Sequence, residues 1–308
     1  MLSILILEII VRLTPLPWIL EPSFSQIGSL RSVDKEFQEK EPLIVFYGNS
    51  LMRDAISPKI VTAKTKYEDH EVVNAGLSAG SFFNDYKFLT KSKKTPTTVV
   101  LQIDLNRFLN NNLTDSFYFK KLSTSEDLRF LLNTENYFTV IKHVAFKAVS
   151  SSDIWHRFIF NRNESENVGS VIKKDYLGQF EIYGELEKLN GGTFDLKDYI
   201  DSPKKIKQTT NFRYFKEICK FSKNNNVNLV LIHLPINYEE MDKYLAFEIQ
   251  EYFNFLQNEC PGHTAIINDL EFKFNTNNSF IDYGHLSNKG AEEYSEVITE
   301  TLKSYIDK

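Results

Sequence analysis

The stretch IVFYGNSLMRDAI, residues 44–56, runs from four apolar residues through Gly48-Asn49-Ser50 into a segment read as a helix. A short apolar run closed by glycine reads as a buried strand. The same alternation continues outward from it. EVVN, TTVVLQI, VNLVLIHLP and TAIINDL read as further strands, and SFFNDYKFLTKS, TTNFRYFKEICKFSKNN and YEEMDKYLAFEIQEYFNFLQ as helices. The last helix lies in LSNKGAEEYSEVITETLKSYI, with Ser287 as its N-cap. Strands alternating with helices imply an α/β class: a three-layer α/β/α sandwich with a mainly parallel sheet covered on both faces. In such sheets ligands bind beyond the carboxyl ends of the strands.

Composition excludes several functions. A chain of 308 residues, 42% hydrophobic and 25% charged, is globular rather than disordered. Its formal charge of -5, with no long Lys/Arg block, leaves no footprint for a phosphate backbone, so nucleic acid is not expected as a partner. Two cysteines, Cys219 and Cys260, are too few for a disulfide framework or a cysteine zinc site. They read as buried thiols, with a single bridge left open. No cofactor or metal site is read, since the six histidines show no paired ligand spacing.

The N-terminus differs in kind. MLSILILEIIVRLTPLPWIL is apolar except for Glu8 and Arg12, which sit four apart, a spacing that would let them pair on one helical face. The run falls short of the roughly 20 apolar residues a membrane span needs. Residues 1–20 therefore read either as the remnant of a membrane anchor or as an amphipathic helix packed on the domain. Residues 21–41, with Pro22 and the charge run DKEFQEKE, read as an exposed linker, and 42–308 as the domain. The stretch from about 109 to 206 carries no recognisable block and reads as an insertion, with a helical pattern around NYFTVIKHVAFKAV. Placed between the third and fourth strands, it would cap the catalytic edge or decorate the periphery. Among its aromatic residues Tyr118, Tyr137 and Phe138 are of a kind that stacks on sugar rings.

Polar residues gather at the strand ends. Ser50 follows the first strand, Asn106 follows TTVVLQI, and FIDYGHLSNKG places Asp282 and His285 three residues apart before the last helix. A serine hydroxyl becomes a useful nucleophile beside a base, commonly His, oriented by a carboxylate. Each residue alone has an ordinary use as a cap, turn former or surface group. Their placement at one end of one inferred sheet favours chemistry.

These blocks resemble the SGNH (GDSL-like) hydrolases and acyltransferases. Gly48-Asn49-Ser50 resembles the first block, with Asn49 for the usual Asp, and VVNAGLSAGSFF the second. DLNR resembles the third through Asn106, while Asp104 and Arg107 depart from its outer positions. Asp282-Tyr283-Gly284-His285 matches the last. The resemblance implies a flavodoxin-like fold, Ser50 as nucleophile, His285 as general base then acid, and Asp282 as the group orienting the imidazole. It also implies an oxyanion hole from the Ser50 N–H, a backbone N–H of Ala79 or Gly80, and the Asn106 amide.

The segment LEIIVRL resembles the exit of the N-terminal anchor in membrane-associated members. Some of those modify cell-surface polysaccharides beside an integral membrane acyltransferase. The reading that follows is a serine-dependent acyl-ester hydrolase or O-acyltransferase acting on acylated glycan outside the cytoplasm, with an acylated carbohydrate or acyl donor as partner. Alternatives are a catalytically silent binding domain, a lipase or thioesterase on small acyl esters, and a cytoplasmic location. A further alternative is an α/β-hydrolase in which GLSAG, residues 76–80, is the nucleophile elbow and Ser78 the nucleophile. Against it, few strands precede the motif and no His-Gly-Gly-Gly-type segment lies upstream.

Overall fold

The five apolar runs form one parallel sheet. The computed structural model describes residues 25–78, 80–109, 122, 126–127, 202–237, 245–270, 272–275, 278–281 and 284–306. Strands β1 (Ile44–Tyr47), β2 (Val72–Asn74), β3 (Thr98–Gln102), β4 (Asn228–His233) and β5 (Ala265–Asn268) lie in the flavodoxin-like order β2-β1-β3-β4-β5. Val45 stands opposite Val73 on one side and Val99 on the other, and Leu231 opposite Leu101 and Ile266.

Strand side chains alternate, and both faces are covered. Val45, Tyr47, Val99, Leu101, Leu229 and Leu231 point into one core. That core is roofed by α1 (Ser25–Glu39), α4 (Phe82–Lys91), α5 (Leu105–Leu109), α6 (Ser202–Lys207), α7 (Thr210–Asn224) and α8 (Leu245–Glu259). Ile44, Phe46, Val72, Val100, Val230 and Ile232 point into the other, under α2 (Ser50–Ala55), α3 (Pro58–Lys64) and α9 (Asn288–Ile306). Each such side chain stabilises the fold by about 1.5–3 kcal/mol relative to exposure. The architecture is the expected three-layer α/β/α sandwich. Ser287 accepts from the Gly290 N–H at 3.2 Å, as its N-cap role requires.

Residues 25–39 correct the linker reading of 21–41. They form α1, whose Leu30, Val33 and Phe37 are buried in the first core, Phe37 stacking on Phe88. Charged residues on the outer face masked an apolar stripe at i, i+3 and i+7. The cysteines are also resolved. Cys219 of α7 and Cys260, just past α8, form a disulfide with Cα atoms 5.5 Å apart, in place of two buried thiols.

Little of the insertion lies within the described residues, and the helical pattern around residues 136–149, Tyr118, Tyr137 and Phe138 lie outside them. So do residues 1–20. Near the start of the insertion Asp127 is buried, 2.5 Å from Lys87 Nζ on α4 and 3.1 Å from the Tyr214 hydroxyl on α7. The insertion is thereby tied to the outer layer of the first core. Among the described residues, no helix is long and apolar enough to cross a membrane.

Candidate active site

The chain leaves β1 for β2 on one side and returns to β3 on the other, so a crevice opens at the carboxyl ends of β1 and β3. Ser50 stands there as the first residue of α2. The Asn49 side chain caps this helix, accepting from the Leu51 N–H at 2.9 Å. Asn49 is in turn clasped at two points by Gln102 at the end of β3. Its backbone N–H donates to Gln102 Oε1 at 2.8 Å, and Gln102 Nε2 donates to its Oδ1 at 3.0 Å. Asn49 thus supplies the cap and is an uncharged partner for the Gln102 amide.

The far end of α2 is latched from β2. Asn74 Nδ2 reaches the carbonyls of Met52, Arg53 and Ile56 at 3.0, 3.2 and 2.7 Å, while its Oδ1 accepts from the Gly76 N–H at 3.0 Å. The Met52 carbonyl also accepts from the Ile56 N–H at 3.3 Å. The amide adds a donor for carbonyls at the end of a helix too short to satisfy them all internally. The loop after β2 lies against α2, and a Cβ at Gly76 would come within 2.4 Å of the Arg53 backbone nitrogen. Only glycine permits this approach.

His285 comes from the opposite direction. The segment before α9 folds back on itself, with the Ile281 N–H on the His285 carbonyl and the Ser287 N–H on the Ser279 carbonyl, both at 2.8 Å. Ser295 of α9 accepts from the Ser57 N–H and donates to the Ala55 carbonyl, which fixes α9 against the α2–α3 junction. The result places His285 Nε2 2.9 Å from Ser50 Oγ. With Nε2 unprotonated, the hydroxyl donates to it, which is the geometry for proton abstraction from a serine.

Not every expected residue falls within reach of this pair. Asp282 and Ala79 lie outside the described residues. The Gly80 N–H donates to the Leu77 carbonyl at 2.8 Å, so as an oxyanion donor it would first have to leave that bond. Asn106 is exposed in α5, just past the carboxyl end of β3. Ser78 accepts from Arg53 Nη1, whereas His285 bonds Ser50.

Three features went unread in the sequence. Asp54, buried in α2, holds Arg53 through both carboxylate oxygens at 2.7 and 3.0 Å, and its Oδ2 lies 4.0 Å from His285 Nε2. Its spacing of four residues from Ser50 was the available signal. Below the crevice, Gln102 Nε2 also contacts Asp104, whose Oδ1 lies 3.4 Å from Nε2 of buried His233. Beside them burial raises the Asp269 carboxyl, against the pull of the Tyr294 hydroxyl and His233. Arg107, which departs from the resembled block, donates to the Gln102 carbonyl, pairs with buried Asp85 and stacks on Phe82. Burial pushes the Asp85 carboxyl up to about 6, in opposition to Arg107.

A family model of undescribed function matches residues 174–307, under half of the chain. Among curated proteins none matches. A solved structure described as "a putative platelet activating factor from Streptococcus pneumonia" is 12% identical, with a TM-score of 0.41 over 91% of this chain and 92% of that one.

Proposed function

We propose that the chain is a serine-dependent acyl-ester hydrolase or O-acyltransferase of the SGNH type, acting on acylated cell-surface glycan outside the cytoplasm. The observation that carries the chemistry is the 2.9 Å approach of His285 Nε2 to Ser50 Oγ at the crevice between β1 and β3. In the first half-reaction Ser50 Oγ forms a bond to the acyl carbon, its proton passes to His285 Nε2, and the carbonyl pair moves onto oxygen. Collapse of that intermediate expels the alkoxide, which takes the proton back from Nε2. Water or a sugar hydroxyl then attacks the acyl-enzyme by the same path in reverse. Oxyanion donors, each worth about 100- to 1000-fold in rate, are expected from the Ser50 N–H, the loop after β2 and Asn106.

Two observations favour this reading over its alternatives. His285 sits on Ser50, and Ser78 is engaged by Arg53, which argues against the nucleophile elbow. The Cys219–Cys260 disulfide suits an oxidising compartment rather than the cytosol. The glycan substrate, the anchoring of residues 1–20 at a membrane and an integral membrane acyltransferase partner rest on the resemblance.

The test is hydrolysis of short p-nitrophenyl esters, followed by mass spectrometry of products from an activated acyl donor with and without polysaccharide. Turnover lost in Ser50→Ala, and acyl groups diverted to glycan, are the expected results. Release of free acid unaffected by any glycan would make the chain an esterase, and no turnover at all would favour a silent binding domain.

A further inference from the structure

Ser50 and Asp54 are one turn apart on α2, so both side chains face the same way and His285 meets both. Its Nε2 lies 2.9 Å from the Ser50 hydroxyl and 4.0 Å from Asp54 Oδ2. The second distance is too long for a hydrogen bond and short for a charge interaction, and the Asp54 side chain is only 8% exposed. Adjacent residues on a helix ordinarily diverge, yet the Arg53 side chain turns back to grip Asp54 with two nitrogens and reaches Ser78 with a third. The charge beside the base is therefore held in a fixed arrangement.

Resting on the serine reading above, we propose that Asp54 is a positioning residue for the base. When the Ser50 proton moves to His285 Nε2, the imidazolium is created facing this carboxylate and is stabilised by it. Arg53 fixes the carboxylate and offsets part of its charge, which keeps it from repelling the oxyanion that forms at the same moment. The charged groups facing His285 from α2 are Asp54 and, behind it, Arg53. On its own loop Asp282 is the carboxylate implied by the resemblance, serving the other ring nitrogen. No atom of Asp54 exchanges a proton or forms a bond in this scheme.

The test needs no knowledge of the substrate. The second-order rate of fluorophosphonate labelling at Ser50 is measured against pH for the unsubstituted full chain, Asp54→Asn and Arg53→Gln, with circular dichroism and melting curves to show each is folded. Asp54→Asn should label about 10-fold more slowly on the alkaline plateau, and its acidic limb should move to lower pH, since protonated His285 loses a stabilising charge. Arg53→Gln should move the limb the other way, because the same carboxylate is then uncompensated. A packing defect would lower the amplitude of both variants and move neither limb. Limbs that stay in place or shift together in folded variants would overturn the role of Asp54 while leaving the Ser50 reading intact. Should Asp54→Asn fail to fold, an Arg53→Gln limb that does not rise would overturn it as well. An unsubstituted chain that takes no label at Ser50 would remove both.

Discussion

The Ser50 hydroxyl has His285 Nε2 at hydrogen-bond distance, carried there by a folded-back segment that its own backbone bonds hold. Replacing His285 by Ala should accordingly abolish nearly all turnover of p-nitrophenyl esters, about 10⁴-fold or more, because Ser50 loses the base that accepts its proton. Asp282→Asn should leave more activity, with the imidazole present and less well oriented. Stopped-flow or steady-state assays of the two variants check the order, and wild-type rates in both would remove the triad. At this scale the sequence disclosed the candidates, of which the structure brings Ser50 and His285 together, and concealed their supports. Ser50, Asp282 and His285 stood in short recognisable blocks. Gln102 and Asn74 did not, because a clasp on Asn49 or a latch on α2 exists only once β1, β2 and β3 are in register. Asp54 had a local signal, the spacing of four, that a helix reading of residues 50–55 makes available.

The helix that carries Ser50 is six residues long and owes its position to its neighbours more than to propensity. Asn74→Ala should remove the side-chain donor that three carbonyls at its end share, at a cost of about 1–3 kcal/mol in stability, readable as a lower urea midpoint. Gly76→Ala should push α2 away from the loop and lower the labelling rate of Ser50 more than it lowers stability. Between α4 and α5 the buried Asp85–Arg107 pair makes a prediction of definite sign. A carboxyl whose folded pKa is raised to about 6 holds a proton that the unfolded chain has already released. Its stabilising contribution is present below about pH 4 and lost as pH rises through about 6. The stability lost in Asp85→Asn should therefore be greater at pH 4.5 than at pH 7.5, by about 2 kcal/mol. Denaturant titrations at both values decide it, and the opposite trend would mean that Arg107 outweighs burial. Strands of three to six residues were legible as apolar runs because both faces of the sheet are covered. The α1 helix was not, since its stripe is narrow and its outer face carries a run of charges that reads as a linker.

The whole molecule is braced on the side away from Ser50. The disulfide closes a loop of 41 residues across α7, β4 and α8. Removing it by Cys219→Ser with Cys260→Ser should cost about 4 kcal/mol on the chain-entropy estimate, with labelling at Ser50 preserved in the fraction that stays folded. Its formation could not be read from two cysteines alone, because it depends on α7 meeting the end of α8 over the sheet. The order β2-β1-β3-β4-β5 creates the crevice, and the serine and histidine reach it from the two ends of the domain's sequence. The central claim is that this meeting makes Ser50 a nucleophile. It is tested most directly by treating the full chain with a fluorophosphonate and mapping the adduct by peptide mass spectrometry. A single adduct on Ser50, lost in Ser50→Ala and in His285→Ala and retained in Ser78→Ala, is the predicted result; an adduct on Ser78, or none on a folded chain, would contradict it.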